Sequence, residues 1–203
     1  TLPEVLNEIS KKNYGSIFLR PYGFYENHED EYPLNLSGKN VSLGAEDFLL
    51  KITTQITLAS AHIINKSLIK DIDANKYCGT NLVQVNLILD AITRSKSCFY
   101  FKKYIIAIQK NNSGGYDLYD VFVNKFSLIL QNYVDKKLIT SKLKKKIECK
   151  NIKCFFPSYI FRSMFYLKED ISNIETKFKI LHKYTCYKFF IKPIFRLPYT
   201  LAL

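Results

Sequence analysis

The net positive charge of this 203-residue chain lies in its second half, and this asymmetry restricts how that half can fold. Residues 1–97 carry ten Lys and Arg against eleven Asp and Glu, whereas residues 98–203 carry twenty against seven. A segment with such an excess repels itself unless counter-ions or a polyanion screen the charge. The asymmetry therefore favours a large, negatively charged partner, and RNA is the class that we expect.

The composition predicts a folded chain. Hydrophobic residues make up 47% of it, and it contains 15 Phe and 15 Tyr, which argues against intrinsic disorder. The length allows one sizeable core, or one core with a small appended lobe. With only seven Gly and six Pro, long flexible linkers are not expected.

Apolar residues recur at helical spacing along much of the sequence, which predicts a mainly α fold. Residues 98–109 are aromatic and β-branched and predict a strand, and Ser16–Arg20 predicts a short strand that stops at Pro21. Ser172 and Glu175 have the spacing of a capping box. The predicted helices are a short one near the N-terminus and 44–70, about 80–95, 117–134, 157–167 and 172–186.

We therefore expect a mainly α (α+β) fold with a small β element, in a single irregular helical domain. Its predicted divisions are an N-terminal helix and acidic loop over 1–43, a mainly helical core over 44–186, and an extended basic and aromatic C-terminal arm over 187–203. No stretch of eighteen uncharged apolar residues and no signal peptide is visible, so no membrane partner is expected. The five cysteines, an odd number, favour reduced thiols inside a cell, in the cytoplasm or alternatively in a mitochondrion.

Lysines are concentrated between residues 136 and 153, where they suit contact with phosphates. Such contacts release counter-ions and carry little sequence information. A solvated helix face is the alternative interpretation of the same pattern. The predicted RNA-binding residues are these lysines and the basic residues of the C-terminal arm: Lys136, Lys137, Lys142, Lys144, Lys145, Lys146, Lys150, Lys153, Lys188, Lys192 and Arg196.

The C-terminal arm also alternates aromatic with basic residues, and its aromatic side chains are candidates for partner binding: Phe189, Phe190, Phe195 and Tyr199. They can stack on exposed bases, insert into a groove of a partner, or pack back onto their own domain. An apolar tail interrupted by prolines is a liability in a free monomer, so we favour burial in a partner.

Four other features of the sequence have the residue types of a functional site. Cys149, Cys154, His182 and Cys186 form a Cys3His set that can hold zinc, although we favour cysteines without a metal. His28 and the three acidic residues that follow it predict a solvated loop. His62 lies in an apolar segment and predicts a core or boundary residue, and Gly114 and Gly115 predict a turn because no phosphate-binding motif surrounds them.

No catalytic motif stands in the sequence, so we expect a protein that is not an enzyme and needs no cofactor or small-molecule substrate. The favoured hypothesis is a ribonucleoprotein-binding protein associated with the ribosome, with ribosomal RNA and ribosomal proteins as its partners. It would be a lineage-specific ribosomal subunit, or a factor that occupies a functional site and keeps the ribosome inactive. The alternatives are an interaction subunit of a protein assembly without nucleic acid, and an enzyme whose site forms only in the folded chain.

Overall fold

The computed structural model describes residues 2–33, 39–79, 82–110, 117–165 and 167–197, and it divides the chain into two compact units. The first unit is Thr1–Gly115 and the second is Tyr116–Leu203. The predicted mainly helical class with a small β element is confirmed. The division differs from the predicted boundaries, because the N-terminal segment shares the first unit with the first half of the predicted core domain, and the second unit contains the other half.

A four-stranded sheet organises the first unit. β1 and β4 are long parallel neighbours at its centre, and the two short strands pair antiparallel at its edges in the order β2-β4-β1-β3. The predicted strand over 98–109 is confirmed to the residue. The strands are β1 (Ser16–Phe24), β2 (Val41–Leu43), β3 (His62–Ile64) and β4 (Cys98–Gln109).

Strand β1 does not stop at Pro21, in contrast to the prediction. Its register with β4 shifts on both sides of Arg20, immediately before the proline. Proline lacks an N–H group and is tolerated in a strand where the ladder of hydrogen bonds is irregular. The irregularity therefore lets β1 continue to Phe24.

Among the described residues of this unit, three α-helices accompany the sheet: α1 (Leu2–Lys11), α2 (Ala45–Ile52) and α3 (Val83–Thr93). Successive side chains of a strand point to opposite faces, so Ile17 and Phe99 belong to one face while Phe18 and Tyr100 belong to the other. Val5 of α1 is buried with Ile17 and Phe99 in one core cluster. The other face carries the Phe18 and Tyr100 rings, whose centroids are 5.4 Å apart.

The prediction of one long helix over 44–70 is wrong. Helix α2 ends at Ile52, because Thr53 has a φ of 46°, which lies outside the helical region. Short 3-10 turns and strand β3 follow it. The segment is rich in β-branched residues with low helix propensity, and its apolar residues Ile52 and Ile56 are buried all the same. The apolar spacing therefore predicts which residues are buried, but it does not predict the backbone conformation of the segment.

The second unit is helical throughout its described elements. A π-helical segment, Asp120–Lys125, leads into the first α-helix, so the helix predicted over 117–134 is confirmed as a helical segment. The helix predicted over 157–167 is confirmed with slightly earlier bounds. The elements are α4 (Phe126–Asp135), α5 (Ser141–Cys154), α6 (Phe156–Phe165), α7 (Ile171–Lys177) and α8 (Thr185–Phe190).

The predicted single helix over 172–186 is divided in two. Helix α7 ends at Lys177, and a 3-10 turn separates it from α8. The predicted capping box is also wrong, because the Asp170 carboxylate caps α7 by accepting bonds from the N–H groups of Ser172 and Asn173. An aspartate satisfies these helix-end donors as well as a serine does.

The predicted extended arm over 187–203 is wrong in its first part. Residues 187–190 are the last four of the six residues of α8, and Tyr187 and Ile191 are buried in the core of the second unit. Phe195 packs against the same cluster. Ile191 follows the last residue of α8, and its N–H donates to the Tyr187 carbonyl at 3.0 Å, so the two residues lie one turn apart and both side chains reach the same core. Residues 198–203 lie outside the described residues.

Candidate nucleic-acid interface

Helix α5 begins at a polar cap and separates its side chains into two faces. The Thr140 hydroxyl accepts a bond of 3.0 Å from the N–H of Leu143, which satisfies one of the free donors at the helix end. Leu143, Ile147 and Asn151 recur every four residues and are buried. The spacing therefore anchors one side of this Lys-rich helix in the core and directs the other side outwards.

Five exposed lysines lie on the outward side of α5. Their intervals of three and four residues, with Lys145 beside Lys146, place them on neighbouring turns. We name this set the α5 basic face: Lys142, Lys145, Lys146, Lys150 and Lys153. Lys136 and Lys137, just before the helix, are exposed as well. Seven of the eight lysines predicted between 136 and 153 are therefore accessible.

The eighth, Lys144, is buried and does not belong to the interface. Its ammonium Nζ lies 2.9 Å from Oε1 of Glu148 and 3.3 Å from the Ser127 hydroxyl, and the residue is 6% exposed. Its assignment as an RNA-binding residue is wrong. The signal that sequence reasoning missed is the spacing of four between Lys144 and Glu148, beside the buried Leu143 and Ile147.

Glu148 is the centre of this buried polar group. It accepts bonds from the Lys144 ammonium, from the Ser127 hydroxyl at 2.5 Å and from the Tyr184 hydroxyl. Burial, and then the bond to the carboxylate, raise the pKa of Tyr184 above its ordinary value. All four residues are buried and mutually bonded, so the group stabilises the fold rather than meeting a substrate.

Other acidic side chains of the second unit are also engaged in the fold. Asp117 pairs with Lys177 at 2.8 Å, and Asp120 pairs with Lys125 at 2.9 Å. The unit carries 17 Lys and Arg against seven Asp and Glu. Because the cations outnumber the acidic groups by ten, the unit keeps a positive net charge even when every acidic group is paired.

Helix α8 packs against α5 and adds further exposed cations. The Lys153 ammonium lies 5.6 Å from the centre of the Phe190 ring, so the end of α5 meets α8. Lys188, Lys192 and Arg196 are exposed on and after α8, and their assignment to phosphate contacts stays a prediction.

The four aromatic candidates of the C-terminal arm have different environments. Phe189 is 72% exposed and Phe190 is 43% exposed, so both are accessible to a partner. Phe195 is partly buried, with its ring centre 6.4 Å from that of the core residue Phe178, so it packs against its own unit, and its assignment to partner binding stays a prediction. Tyr199 lies outside the described residues.

The zinc set is not assembled. The Sγ atoms of Cys149 and Cys186 are 3.0 Å apart, but Cys154 is exposed and the His182 ring packs on Tyr187 at 4.4 Å between centres. Among the described residues, no group of three or more His, Cys, Asp or Glu side chains is placed to hold a metal ion.

The two remaining polar candidates lie in the first unit. The Glu31 carboxylate accepts bonds from the N–H groups of Tyr25 and Glu26, so it holds its own loop together. His62 is largely buried in β3 with Nδ1 3.1 Å from the Ser16 hydroxyl, and burial lowers its pKa to about 4. His62 is therefore a boundary residue, as the sequence predicted.

Comparisons with known proteins give no assignment. No family model, curated protein or solved structure matches this chain. The helices of the described part of the chain are too short or too polar to cross a bilayer.

Proposed function

We propose that this protein binds RNA within a ribonucleoprotein particle, most specifically the ribosome, and that it acts without catalysis. The α5 basic face is the observation that carries this proposal. Its exposed ammonium groups project from a helix whose opposite face is buried, so their spacing is set before any partner binds. The proposed role is a lineage-specific ribosomal subunit or an inactivating factor, in the cytoplasm or alternatively in a mitochondrion.

The chemistry of lysine fits backbone recognition. An ammonium is a compact point charge that pairs with phosphate but does not form the two-pronged bond by which arginine reads guanine. The α5 basic face contains lysine only. Binding through it should therefore be strongly salt-dependent and weakly sequence-dependent.

The test compares two triple variants of equal charge. Replacing Lys142, Lys145 and Lys153 by Gln removes three charges from the α5 basic face while leaving the buried Lys144 intact. The control replaces Lys66, Lys70 and Lys96, three exposed lysines of the first unit, by Gln.

Each variant is titrated with purified ribosomal RNA at several salt concentrations and is sedimented with intact ribosomes. The first variant should bind more weakly, and its log–log salt slope should be shallower by about 2, since each lost phosphate contact removes about 0.7–0.9. The control should behave as the unmodified protein does. Equal losses in both variants, or in neither, would contradict the proposal.

An interaction subunit of a protein assembly is the second candidate, and the exposed rings of Phe189 and Phe190 favour it. Exposed aromatic residues are typical anchors of protein interfaces. In that case Phe189→Ala would abolish co-purification of the partner, ribonuclease would leave the complex intact, and the α5 variant would bind normally. The same measurements therefore separate the two candidates.

A further inference from the structure

Two cysteines distant in sequence meet between α5 and α8. Cys149 and Cys186 are 37 positions apart, and their Sγ atoms lie 3.0 Å from each other. Both residues are partly buried, and both pack against the core of the second unit. The other three cysteines differ from this pair, since Cys78 and Cys154 are exposed and Cys98 is buried in the first unit.

We propose that Cys149 and Cys186 form a thiol modification site that closes to an intramolecular disulfide when it meets a small-molecule disulfide such as glutathione disulfide. A disulfide bond is about 2.05 Å long, so the two sulfur atoms need to approach by about 1 Å. Side-chain rotation on two helices that already touch supplies such a movement. The inference concerns the second unit alone and holds whether or not the unit binds RNA.

The reaction is a pair of thiol–disulfide exchanges. The Cys186 thiolate attacks one sulfur of glutathione disulfide, forms a mixed disulfide and releases one glutathione thiolate. The Cys149 thiolate then attacks the Cys186 sulfur, forms the protein disulfide and releases the second glutathione. The two protein thiols lose two protons and two electrons in total, and the electrons reduce glutathione disulfide to two thiols.

The environment of Cys149 determines the order and speed of these steps. Burial, followed by the contact with Cys186, raises the pKa of the Cys149 thiol to about 11, although Lys145 and Lys153 act in the opposite direction. Its thiolate is therefore scarce near pH 7, and we assign the first attack to Cys186. The closing step should accelerate as the pH rises from 7 to 9, because burial keeps the Cys149 thiol mostly protonated at pH 7 and its thiolate fraction grows over this range.

Formation of the disulfide between Cys149 and Cys186 should make the second unit more stable. The disulfide links residues 37 positions apart, and a loop of that size restricts the unfolded chain considerably. For a chain of this length the expected rise in Tm is on the order of 10 °C.

The experiment uses the full chain carrying Cys78→Ser and Cys154→Ser, which removes the two exposed thiols. This protein is incubated with glutathione disulfide, digested without reduction and examined by mass spectrometry, and its Tm is measured in parallel. The expected product has lost two hydrogens, contains a Cys149–Cys186 cross-linked peptide and melts at the higher temperature. Dithiothreitol should reverse all three changes.

Two further variants serve as controls. Adding Cys149→Ser should leave a single glutathione on Cys186 with no rise in Tm, and adding Cys186→Ser should leave Cys149 slow to react. A protein that stays unmodified at pH 9, or that ends with one glutathione on each cysteine, would overturn the proposal. A cross-link that involves Cys98 would overturn it as well.

Discussion

At the scale of single residues, burial rather than residue type decides what a charged side chain does. Lys144 and Lys145 are neighbours in the same helix, yet the first is buried against Glu148 and the second is exposed. A buried charge must be paired, because leaving water costs several kcal/mol that only a close partner can offset. The two lysines therefore have separate roles, one in the fold and one at the proposed interface.

Replacing Lys144 by Met should lower the free energy of unfolding by about 3–5 kcal/mol, because the Glu148 carboxylate would remain buried without its cation. Lys145→Met, the matched change one position further along, should cost no more than about 0.5 kcal/mol. Urea unfolding measures both. The double variant K144M/E148Q should be more stable than K144M, since it leaves no charge buried. If K144M were as stable as K145M, the buried pair of Lys144 and Glu148 would not stabilise the fold.

His62 should make stability depend on pH. Its pKa is about 4 in the folded chain against an ordinary 6.5, so the unfolded chain binds the proton more readily between these values. Stability should be full above pH 6.5 and should fall, by about 3 kcal/mol at most, as the pH decreases towards 4.

The variant His62→Gln should lack this part of the pH dependence, because glutamine has no proton to bind in that range. His182→Gln, a matched change at an exposed histidine of the second unit, should keep the profile of the unmodified protein. Unfolding by urea at several pH values provides the comparison. Identical profiles for all three proteins would mean that His62 does not titrate differently on folding.

At the scale of elements, the spacing of apolar residues predicts which residues are buried better than it predicts the secondary structure of the segment. The stripe of α4 coincides with a helix, whereas the stripe of 44–70 is interrupted after Ile52. Helix α8 gives the opposite case, since the two prolines after residue 190 favour an extended arm from residue 187 onwards, whereas residues 187–190 are helical. Pro193 lies beyond the end of α8 and therefore does not conflict with it.

Ile191 and Phe189, which are two positions apart, test whether α8 and the residue after it contribute to the core. Ile191→Ala should lower the free energy of unfolding by about 2–5 kcal/mol, because it leaves a cavity in the core of the second unit. Phe189→Ala should change it by no more than about 0.5 kcal/mol, since that ring is mostly exposed. Thermal and urea unfolding check both. If I191A left the free energy of unfolding unchanged, the segment would instead be an arm that becomes ordered only on a partner.

At the scale of the whole molecule, the charge asymmetry follows the division into units. Thr1–Gly115 carries 13 Lys and Arg against 11 Asp and Glu, whereas Tyr116–Leu203 carries 17 against seven. The positive field therefore belongs to the helical unit and not to the unit with the sheet. A polyanion would be attracted to the second unit at long range, and added salt would weaken that attraction.

The sequence by itself determined the mainly helical class, the strand over 98–109 and the place where positive charge collects. These features depend on local periodicity and on composition, which a linear sequence contains in full. The lysines of α5 could be predicted as a set for the same reason.

Only the tertiary structure determined which side chains are exposed, which are buried and which meet across the fold. The burial of Lys144, the packing of Phe195 against the core and the contact between Cys149 and Cys186 all depend on how α5, α8 and their neighbours pack. Contacts between residues far apart in sequence have no periodic signature. The exposure of a side chain is a property of the packed unit, because the same residue type is stable on either side of a helix when its partners are present.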